Sequence, residues 1–594
     1  MASFGKPGAA ISSARLKGSE GRDMMDLSGL QHLPVYEQKC TLVSRELDHQ
    51  GMGRYQWYIW FLCGFGYFLD LLWAQAFALV LSPLQQELGF SNSQSGNISM
   101  SFNVGLTTGA FFWGFMSDIV GRRWAFNLTC LLSSVFGLCL GAANNYTTFL
   151  VLTAFIGFGV GGNIPVDGAI FLEFAPQYML ACLSIFQPLG VIACSALAFA
   201  FIPTHSCSPN FSEPKPLPSC YNVSGTACCS RETNMGWRYL LFTLGALTLG
   251  IFVLRTLFFR CRETPRFLIY RGEDAKAIRT LEYVAKINKR KCLISLQLLD
   301  SLQNEYDLKQ ARSSQFSPPS PLSPLTPLSP VEERRRLFPK TKMQKMGREL
   351  ARVKLLFGSL RMTALTVLTW LTYILDFGGF NIAGIESTNA FAFVTSCSLC
   401  KQTGFYLPRI LALKNGQESI SLNHTYASYI YCYAPGILAV LLGAYASQIP
   451  AFGQKWTMVA SSALMGTSIF LLSRVDSAAK SEGLFALEYF FQSTFNAVLY
   501  GWTPQAFPAP IRGTACGVAS FWGRLFGIVS PLIAQNLYGR ASGSRGDVDG
   551  VLYLAGGVTM GCVVTTALLP RSPAEEEAEE ATDSSYEPIA SPRV

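Results

Sequence analysis

The amino-acid sequence predicts an all-α membrane protein, with twelve transmembrane helices in two pseudo-symmetric six-helix bundles. Three observations carry this. Charged residues occupy only 14% of the 594 positions and apolar residues 50%, whereas soluble domains carry roughly 25% charge. Apolar runs of about 20 residues, the length that crosses a bilayer, recur in two groups of six. The chain also echoes itself. Gly121-Arg122-Arg123-Trp124 returns, degraded, as Gly453-Gln454-Lys455-Trp456, and Glu173-Phe174-Ala175-Pro176 returns as Gln505-Ala506-Phe507-Pro508, both 332 residues later. Tyr67-Phe68-Leu69-Asp70 matches Tyr373-Ile374-Leu375-Asp376 at an offset of 306, the difference falling in a longer loop after the seventh run. Two matches at one offset indicate a duplicated unit.

Residues 1–54 are polar and without helical apolar period, and are expected to form a disordered cytoplasmic tail. They hold no removable signal segment, so the first helix is expected to serve as insertion signal. Residues 55–260 form the first six-helix bundle, with spans near 57–81, 99–119, 124–143, 148–172, 183–204 and 237–259. Residues 261–358 are a charged cytoplasmic linker. Its stretch from Ala275 to Leu302 has helical period and is expected along the membrane face. The run from Ser317 to Pro330 is too rich in proline for helix or sheet and reads as a spacer, with Ser-Pro and Thr-Pro steps open to phosphorylation. Residues 359–570 form the second bundle, with spans near 362–385, 429–448, 456–473, 483–502, 515–537 and 550–570, and residues 571–594 are an acidic cytoplasmic tail.

The formal net charge is +9, and positive residues cluster beside span ends: Arg122, Arg123, Arg260, Arg262, Arg266, Lys455 and Arg512. That is positive-inside topology and not a nucleic-acid footprint. The opposite side carries Cys207, Cys220, Cys228 and Cys229 in one loop and Cys397 and Cys400 in another, all disulfide candidates whose pairing spacing leaves open. Asn210, Asn222 and Asn423 are N-glycosylation acceptors in these loops. A multi-pass protein of the plasma membrane with both termini cytoplasmic, acting as a monomer, fits this layout. There is no Cys/His metal spacing, phosphate loop or nucleophile elbow, so neither a metal, a cofactor nor an enzymatic activity is expected.

The turn Gly114-Phe115-Met116-Ser117-Asp118-Ile119-Val120-Gly121-Arg122-Arg123 joins the second and third spans. Its glycines admit close helix approach and its arginines anchor the cytoplasmic face. With the twelve spans, the Pro-rich linker, Gly51-Met52-Gly53-Arg54-Tyr55-Gln56-Trp57, Gly236-Trp237-Arg238-Tyr239, Glu263-Thr264-Pro265-Arg266-Phe267-Leu268, the glycine-rich run Gly157 to Pro165 and Pro508 to Thr514, this turn resembles the major facilitator superfamily. The finer features look like its sugar-porter, organic-ion and synaptic-vesicle-glycoprotein branches, particularly their fungal members. The resemblance covers about residues 51–570. It implies a secondary transporter that alternates access to a central site, with Gly114, Asp118, Gly121, Arg122, Arg123, Glu173 and Arg512 at its cytoplasmic gate. Ile119, Thr153 and Leu180 depart from the family pattern, where basic residues are usual. So do Gln454 and Gln505, where the second half lacks the charges that the first half keeps. The gate's ion pairs are therefore expected mainly in the first half.

Asp70 and Asp376 fall near the middle of their spans, where a carboxylate is costly and desolvation favours the neutral form. Such groups can carry protons, or simply hold helices in register through hydrogen bonds. Arg524 is the natural counter-charge, able to pair with an aspartate or receive an anionic solute group, with snorkelling as the plainer alternative. Glu488, Gln492, Asn496 and Tyr500 repeat every four residues on one face of the tenth span, and Asn163 and Asp167 do the same on the fourth, a placement that points toward a cavity. Tyr67, Trp73, Trp370 and Tyr373 flank the two acids as candidate walls or as packing. The expected partners are a small organic solute, protons and the bilayer, with no nucleic acid. A proton-antiporting exporter would use the same residues, and a non-transporting sensor remains the reading from another class.

Overall fold

The computed structural model describes residues 35–175, 179–211, 217–223, 227–258, 262–315, 353–385, 422–449, 452–474, 478–508, 511–540 and 548–570. These fall into two compact units. The smaller draws on described residues within Met1–Trp57, Glu173–Pro176 and Arg262–Val331, the larger on those within Tyr58–Leu172, Gln177–Cys261 and Glu332–Val594.

The smaller unit contains α1 (Val35–Gln50), the first turn of α2 (Arg54–Leu88), α9 (Pro265–Tyr270), α10 (Asp274–Ile287) and α11 (Leu296–Gln315). Residues 35–50 thus form a helix where the sequence predicts an unstructured tail. The buried face of α1 is Val35, Lys39, Leu42, Val43, Glu46, Leu47 and Gln50, so nearly half of it is polar and its hydropathy hides the helical period. Each polar member finds a partner inside the unit. Lys39 Nζ lies 2.6 Å from Asp274 Oδ2, and Glu46 Oε2 accepts from the Leu293 N–H at 3.1 Å. Asn288 at the end of α10 accepts from the Tyr55 N–H at 2.9 Å and donates to Gln56 at 2.9 Å, so the stretch expected along the membrane face packs with α1 and the start of α2. Gly53 makes room for that asparagine: a Cβ there would lie 2.3 Å from Asn288 Cγ.

The larger unit is the twelve-helix bundle. Its first half comprises α2, α3 (Asn92–Val120), α4 (Arg122–Gly141), a fourth segment broken into α5 (Tyr146–Val160) and α6 (Asn163–Phe174), a fifth made of a 3₁₀ turn (Ala181–Ile185) and α7 (Phe186–Phe201), and α8 (Gly236–Val253), which ends in a π-helical turn (Leu254–Phe258). The second half comprises α12 (Leu360–Ile385), an eighth segment divided at Pro435 into α13 (Leu422–Tyr433) and α14 (Pro435–Ala446), then α15 (Gly453–Leu472), α16 (Ala478–Ala506), α17 (Arg512–Arg540) and α18 (Val548–Leu568). Among the described residues, six of these segments are long and apolar enough to cross a membrane by length and composition alone. The first helix runs through Pro83 to Leu88, well past the expected stop at 81. The eighth begins at Leu422, so Asn423 lies in a helical turn and not in a loop.

Two glycine seams set the packing. Between α3 and α5, a Cβ at Gly105 would lie 2.1 Å from the Ala154 carbonyl oxygen, and one at Gly161 would lie 2.3 Å from that of Leu106. Between α3 and α17, a Cβ at Gly114 would lie 2.7 Å from the Gly517 Cα. Small residues let backbones approach where lipid gives helices no hydrophobic reason to associate. The second seam joins the two halves at the end of the bundle that carries Gly121.

The opposite end is stapled. Cys207 bonds to Cys229 and Cys220 to Cys228, one of the pairings that spacing left open. The stapled segment is tied to the end of α2, with Asn234 donating to the Pro83 carbonyl at 2.7 Å and Asn222 to that of Gly89 at 3.0 Å. Cys397 and Cys400 lie outside the described residues.

Candidate functional site

Three buried acids lie deep in the larger unit, and each has a different environment. Asp70 of α2 receives Arg524 Nη2 of α17 at 3.0 Å, an ion pair that joins the two halves. Tyr67, one turn before Asp70, meets Tyr500 edge-on at 6.3 Å between ring centroids, and Tyr500 lies 6.2 Å from Tyr373. Tyr373 in turn shares a hydrogen bond of 3.2 Å with the Thr503 hydroxyl. A tyrosine cluster thus links the two echoing Tyr-x-x-Asp segments. The tryptophans lie elsewhere. Trp73 donates to Thr248 at 3.2 Å within the first half, and Trp370 packs on Trp522 at 5.8 Å.

Asp376 of α12 is 2% exposed, and its Oδ1 has no hydrogen-bond partner. Among the described residues no lysine or arginine forms an ion pair with it. The group whose charge it meets is another acid, Glu488 of α16, whose Oε1 is also without a partner. Gln492 and Asn496 follow on the same helix, with Asn496 Oδ1 unpartnered as well. Glu488 and Tyr500, the first and last members of the four-residue stripe on the tenth span, both fall within electrostatic reach of Asp376.

Asp167 of α6 is held differently. Arg255, in the π-helical turn after α8, reaches its Oδ2 at 2.8 Å, with both side chains fully buried. The guanidinium also donates to the Leu62 carbonyl at 2.6 and 3.1 Å and to that of Phe126 at 3.1 Å, and stands 3.9 Å over the Phe126 ring. Asn163 donates to the Gly66 carbonyl at 3.4 Å. Gly66 is what admits the pair, since a Cβ there would lie 1.6 Å from Asp167 Oδ2. Asn163 and Asp167 accordingly knit α2, α6 and α8 together within the first half, where the sequence pointed them toward a cavity. Arg524 is also not alone in depth: Arg255 is as deep, and its position at the end of an apolar run beside several arginines concealed it. A further pair escaped sequence reasoning. Arg238 meets Glu87 at 2.7 Å near the stapled end, with Trp237 donating to the same carboxylate at 2.9 Å, which accounts for the Gly-Trp-Arg motif.

At the Gly121 end, Asp118 accepts from both the backbone N–H and the hydroxyl of Thr514, at 2.8 and 2.9 Å, and stands 3.7 Å from Arg122. Gly121 takes a positive φ of 121° between α3 and α4. Arg512 donates to the Pro504 carbonyl at 2.6 Å, while Arg123 is exposed. Gln454 and Gln505, the positions that lost their charges, bond to one another at 3.4 Å. Glu173 is buried at the end of α6, in the smaller unit. Of the glycosylation candidates, Asn222 and Asn423 are exposed and Asn210 is half-buried.

The family model of the Major Facilitator Superfamily matches residues 61–414. The MFS siderochrome iron transporter 1 of Ceriporiopsis subvermispora is 33% identical over 547 residues, covering 91% of this chain and 92% of the relative. The major facilitator-type transporter hxnZ of Emericella nidulans is 33% identical over 530 residues, covering 86% and 84%. Among solved structures, that of the proton:xylose symporter XylE bound to 6-bromo-6-deoxy-D-glucose aligns with a TM-score of 0.59 at 17% identity, over 88% of this chain and 99% of that one, a likeness of fold.

Proposed function

The chain belongs to the major facilitator superfamily and is a multi-pass membrane transporter, and from that premise we propose that it moves a small organic solute by alternating access, coupled to protons. The observation that carries this reading is Asp376, a buried carboxyl in the middle of a spanning helix with no lysine or arginine paired to it among the described residues. A structural acid in a bilayer is normally paired, because an isolated charge there is costly. An unpaired one can take a proton at one face and release it at the other. The Asp70–Arg524 pair, shared between the halves, is the contact that rocking of one half against the other would strain or release.

The positive residues near the Gly121 end favour that end as cytoplasmic, with both termini on the same side and the stapled loop outside. The close α3–α17 seam and the Asp118–Thr514 bonds then describe an arrangement closed toward the cytoplasm. One relative's name speaks of siderochrome iron and the other's of no solute, so the solute class is argued from this chain's own site. An importer and a proton-antiporting exporter would use the same acids, and the sign of proton movement separates them.

The test is solute-driven proton movement. Purified full-length protein is placed in vesicles containing a pH dye and challenged with sugars, amines, amino acids and carboxylates. The reading expects a solute-dependent pH change that Asp376→Asn abolishes. Radiolabelled solute equilibrating with no pH change would make the protein a uniporter, and the absence of flux with every solute would remove the transport of small organic solutes from the account.

A further inference from the structure

Resting on that transport reading, we propose that the solute binds as an organic cation, its positive group lodged between Asp376 of α12 and Glu488 of α16. The charge balance of the buried interior points there. Asp70 is neutralised by Arg524 at 3.0 Å and Asp167 by Arg255 at 2.8 Å. Asp376 and Glu488 are left within electrostatic reach of one another, 2% and 6% exposed, with no lysine or arginine paired to either among the described residues. An anionic solute would meet two acids. A neutral polyol offers hydroxyl dipoles where the site has up to two charges to balance.

The unpartnered atoms agree with the charge. Asp376 Oδ1, Glu488 Oε1 and Asn496 Oδ1 are all acceptors, so the complement they call for is a donor, and two of the three prefer a charged one. Aromatic rings stand beside both acids. Tyr433 of α13 lies within electrostatic reach of Glu488, and Tyr500 of α16 within reach of Asp376. Tyr433 meets Tyr489 edge-on at 4.5 Å and Tyr429 stacked at 6.2 Å, which extends the aromatic wall along α13. Aromatic rings near carboxylates are a setting in which ammonium groups can be held by cation–π attraction as well as by charge. A metal ion fits less well. Hard divalent cations take about six to eight oxygen ligands, and among the described residues no group of three or more His, Cys, Asp or Glu side chains gathers to hold one.

A shared site has a consequence for coupling. The titratable groups within electrostatic reach of Asp376 or Glu488 are Tyr373 of α12, Tyr433 of α13, Tyr489 and Tyr500 of α16 and Cys562 of α18, with Arg524 of α17 one tyrosine away and already paired. The acids themselves are therefore the groups for which protons and cation compete. Arrival of the cation expels protons, and protons arriving from the other face expel the cation. Transport is then an exchange of solute for protons.

The test separates this site from the transport reading. Full-length protein in weakly buffered detergent solution with a pH dye is titrated with tyramine, choline and tetraethylammonium, and in parallel with glucose and benzoate. The proposal expects at least one of the three cations to bind with release of protons. Asp376→Asn and Glu488→Gln, each confirmed by gel filtration to be monodisperse, are expected to weaken that binding about thirtyfold or more. If Asp376→Asn does not reach a monodisperse state, Glu488→Gln alone carries the comparison. Failure of all three cations to bind overturns the proposal. A pH response to glucose or benzoate in vesicles, without cation binding, overturns the site and leaves proton-coupled transport standing. Cation binding with no flux of any solute sustains the site and overturns transport.

Discussion

In α6 a buried aspartate, Asp167, meets Arg255 of its own half at 2.8 Å, while in α12 an equally buried aspartate, Asp376, meets another acid. The two halves share an architecture and a repeated Tyr-x-x-Asp segment, yet they treat charge in opposite ways. The asymmetry can be traced to single positions. Asp70 and Asp376 are echoes of one another, and Asp70 is neutralised from α17 by Arg524. The offset of 332 residues that relates the halves carries position 524 back to Ile192 on α7, an apolar residue. The symmetric counter-charge for Asp376 is therefore missing. Among the described residues a cation pairs with only one of the two echoing acids, which makes Asp70 a joint between halves and leaves Asp376 open to charge.

Breaking the paired side of this comparison should cost the most. Asp167→Ala strands the Arg255 guanidinium in the interior, and loss of one partner of a buried pair costs about 3–5 kcal/mol. The expected result is a steep fall in thermal stability and in monodisperse yield. The double change Asp167→Leu with Arg255→Met should recover much of it, as removing both charges together removes the stranded one. If the single change matched wild type on a thermal-unfolding assay, the pair would not be holding α6 to α8.

Gly66→Ala tests the same joint more gently. Its added methyl would stand 1.6 Å from Asp167 Oδ2, an atom that the ion pair holds in place. Overpacking of this kind costs about 1–3 kcal/mol, so unfolding should shift in the same direction as for Asp167→Ala and by less. An unchanged midpoint would show that Asp167 can move aside.

A smaller effect is expected at the seam between halves. Thr514→Val removes the hydroxyl that Asp118 accepts from at 2.9 Å and leaves the backbone N–H bond at 2.8 Å. A hydrogen bond to a charged group contributes about 1.5–3 kcal/mol, so the balance should tilt toward opening at the Gly121 end. Labelling rates of the native Cys516, buried beside this seam, would report this as faster modification. Equal rates would mean that the glycine seam alone holds this end closed.

The smallest effect is chemical and lies in the smaller unit. Burial, and after it the negative charge of Glu46, push the Cys292 thiol up to about 12. The reactive thiolate is then a fraction of about one in ten thousand near pH 8. Mass spectrometry after brief alkylation should find Cys292 unmodified in the folded protein and modified after denaturation.

Much of the fold was legible because membranes impose crude rules. Spanning length, charge beside span ends and an internal repeat are each visible in one dimension, and an acid in an apolar run stands out. The four-residue period put Glu488, Gln492, Asn496 and Tyr500 on one helix face, while the reach of Glu488 to Asp376 could be read only from the fold. What stayed hidden depends on three-dimensional neighbours. Arg255 is 88 residues from Asp167 in the chain and reaches it from an irregular turn. Glu87 lies beyond the first span as the sequence bounds it, and only the fold brings Arg238 and Trp237 around it. The helix over 35–50 was missed because Lys39, Glu46 and Gln50 occupy its buried face, and only their partners make that burial tolerable. Trp73 flanks Asp70 in sequence but turns to Thr248 of its own half.

The most direct measurement of the central claim is pH-gradient-driven solute accumulation in vesicles, comparing wild type with Asp376→Asn. The unpaired acid predicts that wild type accumulates solute against its gradient and that the variant does not, whatever exchange it retains. Equal accumulation by both would place proton coupling elsewhere and return Asp376 to a structural role.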